Sequence, residues 1–196
     1  MCGTLRKLPW ARALKELEQG RLDILPGAFR LAEREEYAYF SGAVLPSSRN
    51  ILFIRKDVFE RWPITKLLEL RQVPFRLGAQ INVHYGPDYE TLMSNPDFAR
   101  TVAMVANRSN LWSMIAKGRI DGAIADEYTG AYEIRELDLS DRITASNVVV
   151  SNAAAEVAFS KRSNDLEFVQ AYAEALKELG ADGSYQSIVQ RHVLPR

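Results

Sequence analysis

Apolar positions along this chain switch repeatedly between two periods. Trp10, Ala13, Leu14 and Leu17 recur at helical spacing and stop at Gly20, and a short strand-like run follows over residues 22–25. The same switching continues to the end of the chain. It predicts strands at 22–25, 50–55, 75–83, 101–106, 122–125, 143–150 and 156–160, and helices at 10–19, 33–37, 64–71, 87–93, 111–117, 126–136, 165–179 and 185–192. Strands and helices in alternation predict an α/β architecture with mostly parallel sheets. No linker rich in Pro, Gly or Ser divides the chain, and no low-complexity segment occurs.

One pattern occurs twice. LKELEQGRLDIL at 14–25 and LWSMIAKGRIDGAI at 111–124 each run helix, Gly-Arg-Leu/Ile-Asp turn, strand, and their glycines lie 98 positions apart. In each copy the glycine suits the left-handed position that ends a helix, and the aspartate opens the strand. The repeat is either common α/β grammar or the mark of two similar lobes, each with its own small sheet. On the second reading, residues 47–56 and 146–160 cross between lobes. Lobe one is then discontinuous, 1–47 plus 154–196, and lobe two is 48–153.

Composition removes several function classes. Among 196 residues, 47% are apolar and 26% charged, an ordinary globular balance, and no apolar run approaches the length of a bilayer helix. The 25 basic and 25 acidic side chains cancel, and no basic cluster interleaves with aromatics, so nucleic acid is not an expected partner. Cys2 is the only cysteine, which excludes an internal disulfide and a thiolate zinc site, and His84 and His192 stand apart, so no metal site is expected. Nucleophile-elbow, Walker and dinucleotide-binding glycine motifs are missing, and no catalytic residue is assigned. The opening MCGTLRKLPW has no apolar core of signal-peptide length.

Residues 9–41, PWARALKELEQGRLDILPGAFRLAEREEYAYFS, join the first helix-strand unit to a Pro-Gly turn, Arg34 and the aromatic run Tyr37, Tyr39, Phe40. This order resembles the first lobe of the family 3 solute-binding proteins of ABC transporters, which have the type II periplasmic-binding-protein fold. Residues 157–161, VAFSK, the turn Gly183-Ser184-Tyr185 and the final helix carry the resemblance to the end of the chain. It implies a two-lobed α/β protein that closes over a small polar solute, an amino acid or related carboxylate, by a hinge at the crossing strands. It further implies a periplasmic monomer that works with ABC permease membrane subunits, without cofactor or catalysis. The alternatives are a ligand-sensing domain of a signalling system and a scaffold-related enzyme of the dehydratase or peptidoglycan-lyase type. In the family a strand and a helix precede this unit, whereas nine residues precede Trp10 here. The first lobe is therefore expected to lack both, with a start upstream of Met1.

The resemblance also assigns residues. Arg34 matches the arginine that clamps the ligand α-carboxylate, a role suited to a planar guanidinium that donates two parallel hydrogen bonds. Its alternative is a solvated helix start, balancing Glu33, Glu35 and Glu36. The turn Gly27-Ala28-Phe29-Arg30 stands where relatives present backbone carbonyls to the ligand, so Phe29 and Arg30 are candidates, Arg30 facing either an anionic ligand or solvent. Residues 78–87 fit the strand-to-helix turn of lobe two, with Pro87 in the first helical turn and free amides able to hold an anion. Asn82, His84 and Tyr85 are the candidates there, although Asn82-Val83 replace the usual Gly-Ser or Gly-Thr, and His84 has a structural role as its alternative. Asp126 matches the ammonium-binding aspartate and also suits the N-cap of the following helix. Trp10, Trp112 and Phe168 fall at helical core spacing and read as packing residues.

Overall fold

The computed structural model describes residues 3–44, 49–152 and 156–192. The chain begins with α1 (Trp10–Glu18), β1 (Ile24–Ala28), the single turn α2 (Ala32–Glu35) and β2 (Ala38–Phe40). A central stretch follows: β3 (Asn50–Arg55), α3 (Lys56–Arg61), a 3-10 turn Leu67–Gln72, β4 (Leu77–Gln80), α4 (Pro87–Met93), α5 (Pro96–Ala99), β5 (Ala103–Val105), α6 (Arg108–Ala116), β6 (Gly122–Asp126), α7 (Glu127–Glu136) and β7 (Ile143–Ser151). The end of the chain adds β8 (Glu156–Ser160), α8 (Leu166–Ala181) and α9 (Ser184–His192).

Two sheets result. One has the order β1-β8-β2 and draws on both ends of the chain; the other has the order β5-β4-β6-β3-β7 and comes from its middle. The lobe boundaries expected at 47/48 and 153/154 lie outside the described residues.

The sheets are mostly parallel in strand direction, as expected, with one strand in each, β3 and β8, running against the rest. β4 pairs parallel with β5 and β6, but β3 is antiparallel to β6 and β7, and β8 is antiparallel to β1 and β2. Connectivity explains the mixture. Strands joined by a helical crossover inside one sheet, β4 to β5 to β6, run the same way, whereas β3 and β8 each follow a strand of the other sheet and enter in the opposite sense.

The five-stranded sheet is buried on both faces. Along β3, Ile51 and Phe53 enter a core with Leu111, Trp112 and Ile115, while Leu52 and Ile54 enter a second core with Leu67, Leu70, Tyr85 and Leu92. This is the two-residue period of a strand with apolar groups on each side. In the smaller sheet Ala158 of β8 packs with Ala13 and Leu17 of α1, and Val157 and Phe159 pack with Val169 of α8.

Local departures from the predicted elements have local causes. The expected helix at 64–71 is the 3-10 turn, in which Leu67 and Leu70 are buried three residues apart, as that tighter period requires. β2 is three residues long, too short to show alternation, and is held by pairing with β8. The turn expected at Gly27 is part of β1, where the register with β8 shifts between Pro26 and Ala28. The repeated Gly-Arg-Leu/Ile-Asp turn forms as read: Gly20 and Gly118 adopt φ of +72° and +66°, ending α1 and α6.

The two aspartates of that repeat differ in burial. Asp23 is exposed, whereas Asp121 is buried at the start of β6, remote from the carboxyl end of that strand. Its carboxylate accepts from the Arg76 amide at 2.9 Å and the Arg76 guanidinium at 2.9 and 2.6 Å, and Arg55 Nη1 lies 3.6 Å away. Burial works to raise the Asp121 pKa, but the Arg76 bonds, with Arg55, outweigh it and hold the carboxyl below its ordinary value. A depressed carboxyl pKa contributes stability that is fully present above the unfolded value, about 3.9, and is lost progressively as the pH falls from there through the lower folded value. Asp121→Ala is therefore expected to destabilise the fold by about 2–3 kcal/mol at pH 7, the half-exposed Arg76 reducing the full penalty of a broken buried pair. Urea unfolding should show that deficit shrinking at pH 3; an equal deficit at both pH values would mean that charge is not its source.

Candidate ligand-binding cleft

The carboxyl ends of the parallel strands β4, β5 and β6 open on one side of the larger sheet, the edge where open α/β sheets place ligands. Gln80, Ala106 and Asp126 lie there and line a cleft of about 780 Å³. The first lobe supplies the facing wall with Lys7 to Trp10, Pro26, Gly27, Phe29 and Arg34, and α9 adds Tyr185 and Val189. Trp10 donates its indole N–H to the Asn82 carbonyl at 3.1 Å, and the Phe29 and His84 rings meet edge to face at 5.8 Å. Both contacts join the two walls, so the cleft is closed at that rim.

Arg34 is the electrostatic centre of the first wall. It is 4% exposed, and α2 points its guanidinium inward although the rest of that short helix faces solvent. One Nη donates to the Phe29 carbonyl at 3.0 Å; its Nε is the one buried side-chain polar atom without a partner among the described residues. No carboxylate lies within ion-pair distance among those residues. Burial lowers the Arg34 pKa, an effect opposed by Tyr37 and Glu33, and the group stays cationic because an arginine starts so high. A buried, under-satisfied cation costs free energy that an incoming carboxylate would offset.

Asp126 combines the two roles open to it. It caps α7, its Oδ1 accepting from the Thr129 amide at 2.8 Å and the Thr129 hydroxyl at 2.7 Å, and it lines the cleft. Oδ2 has no hydrogen bond among the described residues, so it retains acceptor capacity.

The other assigned residues are distributed unevenly. Phe29, His84 and Tyr85 line the cleft, but the Tyr85 hydroxyl is occupied by the Gln80 amide at 3.0 Å, and burial raises its pKa well above the ordinary tyrosine value. His84 Nδ1 lies 2.6 Å from Glu90. Asn82 and Arg30 are not among the lining residues. Asn82, at φ +60°, contributes its carbonyl to Trp10. Arg30 is drawn to Glu156 at 3.1 Å and Glu35 at 3.6 Å, with its guanidinium 5.4 Å from the Phe40 ring centroid. Trp112 is fully buried as expected, Trp10 packs against the core of the smaller sheet and also lines the cleft, and Phe168 is 47% exposed, its ring packed against Phe159 and Tyr172.

Among the cleft residues without a sequence assignment, two form an ion pair. Arg108 opens α6 and Glu133 lies midway along α7; Arg108 Nε and Nη2 donate to the two Glu133 oxygens at 2.7 and 2.9 Å. Trp112 adds its indole N–H at 2.7 Å. No motif announces this pair, since its partners come together only when α6 and α7 pack on the same face of the sheet. Among the described residues no cluster of three or more possible metal ligands occurs, and no helix is long and apolar enough to cross a membrane.

A closed cleft between two α/β lobes, with a buried unpaired arginine in one wall and an aspartate at a strand end in the other, defines a solute-binding protein. The chain belongs to the bacterial extracellular solute-binding proteins, family 3, whose sequence model matches residues 4–195. This is a family of binding proteins, extracellular by its description. Curated proteins show no significant match. Solved structures share the fold at low identity. An amino acid ABC transporter substrate-binding protein from Streptococcus pneumoniae bound to L-arginine has 19% identity and a TM-score of 0.74, covering 96% of this chain and 74% of its own. An ancestral arginine-binding protein bound to arginine has 16% identity and a TM-score of 0.77, with 98% and 80% covered. A histidine kinase sensor domain with similarity to periplasmic binding proteins has 20% identity and a TM-score of 0.70, with 94% and 75% covered.

Proposed function

We propose that the cleft captures an amino acid or a related small carboxylate for uptake through an ABC-type permease. The observation that carries this reading is Arg34: a buried guanidinium with an unpartnered Nε and no ion-pair partner among the described residues, in the wall of the cleft. A ligand carboxylate supplies the missing charge and acceptors, and the free oxygen of Asp126 takes the ammonium group from the opposite wall. Because the two charges come from different lobes, a zwitterion satisfies both only when the lobes are together, which couples capture to closure. Phe29, His84 and Tyr85 then form the apolar and aromatic surroundings, with Asn82 and Arg30 outside the contact set. In this reading lobe one is 1–47 plus 154–196, lobe two is 48–153, and the protein acts as a monomer in the periplasm, closing about the two passages between its lobes. Glu133 is engaged by Arg108 and Trp112, and one oxygen of Asp126 caps α7, an arrangement that favours holding a ligand over acid-base chemistry.

Calorimetric titration with a panel of L-amino acids and the corresponding deaminated carboxylates tests this reading. At least one L-amino acid should bind, and Asp126→Asn should weaken it by about tenfold or more, the loss of one charge-assisted contact, while affecting its deaminated analogue little. Equal losses for both ligands would remove Asp126 from the ammonium site. A signalling output is the second reading, favoured by the fold shared with the sensor domain; ligand-dependent association with a kinase rather than with permease subunits would select it.

A further inference from the structure

The zwitterion contacts proposed above use Arg34 and Asp126, yet the cleft contains a second pair of opposite charges. Arg108 and Glu133 line the same space and meet fork to fork, Nε to Oε2 at 2.7 Å and Nη2 to Oε1 at 2.9 Å. That is the geometry by which a carboxylate site holds a guanidinium ligand. The acceptor is assembled independently of Arg108. Trp112 donates to Glu133 Oε2 at 2.7 Å, and its ring is wholly buried, edge-on to Phe53 with centroids 5.3 Å apart. Burial works to raise the Glu133 pKa, but the Arg108 bonds and charge, then the Trp112 bond and Lys7, outweigh it and hold the carboxyl below its ordinary value.

We propose that Arg108 is a specificity-determining residue that fills, from within the protein, a cation subsite formed by Glu133 and Trp112, so that the cleft takes ligands with neutral or acidic side chains and rejects basic ones. The role in ligand choice rests on the solute-binding reading; the cation subsite itself does not. With Arg108 in place, a basic ligand meets a like charge and a carboxylate already neutralised and bridged on both oxygens by that guanidinium. Removal of the Arg108 side chain leaves a carboxylate facing the cleft, an indole donor still holding it, and a space the size of a guanidinium stem and head.

Two variants test this, Arg108→Ala and Arg108→Ala/Glu133→Gln, with ethylguanidinium, L-arginine and its neutral isostere L-citrulline as probes. In thermal melting, Arg108→Ala should melt below wild type and recover in ethylguanidinium, which should move neither wild type nor the double variant. In calorimetry, Arg108→Ala should bind L-arginine about tenfold or more tighter than wild type does, the gain of one charge-assisted pair, with no gain for L-citrulline and loss of the gain in the double variant. Equal stabilisation of all three proteins by ethylguanidinium would overturn the subsite, as would an Arg108→Ala chain that stays unfolded in that solute while the double variant folds. L-arginine binding by wild type as tight as by Arg108→Ala would overturn the exclusion. So would rescue by ethylguanidinium without a gain for L-arginine in a protein that binds another amino acid. Should no amino acid bind wild type while ethylguanidinium still restores Arg108→Ala alone, the solute-binding reading fails and the cation subsite stands.

Discussion

Arg34→Met is expected to abolish amino-acid capture while leaving the unliganded protein as stable as wild type or slightly more so. The two effects have one cause. In the unliganded cleft the Arg34 guanidinium is buried with a bond to the Phe29 carbonyl and an unpartnered Nε. Methionine removes the charge and the orphan donor and keeps most of the apolar stem, so the burial penalty disappears. The Phe29 carbonyl loses its donor, which offsets part of the gain, leaving a net change of about 0 to 1 kcal/mol in favour of the variant. Binding, by contrast, loses two charge-assisted hydrogen bonds at about 1.5 kcal/mol or more each, a hundredfold or larger fall in affinity. Titration with the L-amino acid that wild type binds best, beside melting of the unliganded protein, separates the two effects. A variant that melts well below wild type and still binds would show that Arg34 is a structural tie to Phe29. Arg34→Lys should recover only part of the affinity, since an ammonium cannot present two parallel donors.

Gly130→Ala is expected to destabilise the fold by about 2–3 kcal/mol, although helix propensity alone predicts a gain of about 1 kcal/mol at this interior position of α7. An added Cβ would stand 2.4 Å from Phe53 Cε2 and 2.6 Å from Cζ. Phe53 has no room to retreat, because it is buried in the centre of β3 with its ring held against Trp112. The clash must instead lift α7 from the sheet, and α7 carries Glu133 and is capped by Asp126, so ligand affinity should fall with stability. Urea unfolding at pH 7 provides the check: unchanged or increased stability would mean that the Phe53 ring is free to move, contrary to the packing described.

Both sites illustrate where sequence reasoning succeeds. β3 and β8 carry unbroken apolar runs bounded by polar residues, and their observed limits, Asn50–Arg55 and Glu156–Ser160, coincide with those read from the pattern. Arg34 and Asp126, assigned by the family resemblance through the aromatic run after α2 and the end of an apolar strand, both line the cleft. Arg30 lies just as close to a landmark and was read as a candidate, but Glu156, 126 positions away, holds it elsewhere. The reversed strand in each sheet went unread for a related reason. Helix-strand alternation implies parallel crossovers within a sheet, and nothing local in β3 or β8 tells that each enters its sheet after passing from the other lobe.

The sequence by itself determined the periodic elements and the glycine-ended repeat, and its resemblance to the family implied the two lobes and offered Arg34 and Asp126 as candidate carboxylate and ammonium contacts. The elements and the repeat depend on the order of apolar and polar groups along a few turns of chain, where backbone geometry alone dictates which side chains share a face. Tertiary structure decided the rest: that Arg34 is buried without an ion-pair partner among the described residues, that Trp10 and Phe29 touch Asn82 and His84 across the cleft, and that Arg108 is held by Glu133. Each of these depends on the approach of groups from separate elements, and whether a charge is paired, exposed or stranded is fixed only when those elements meet and exclude water.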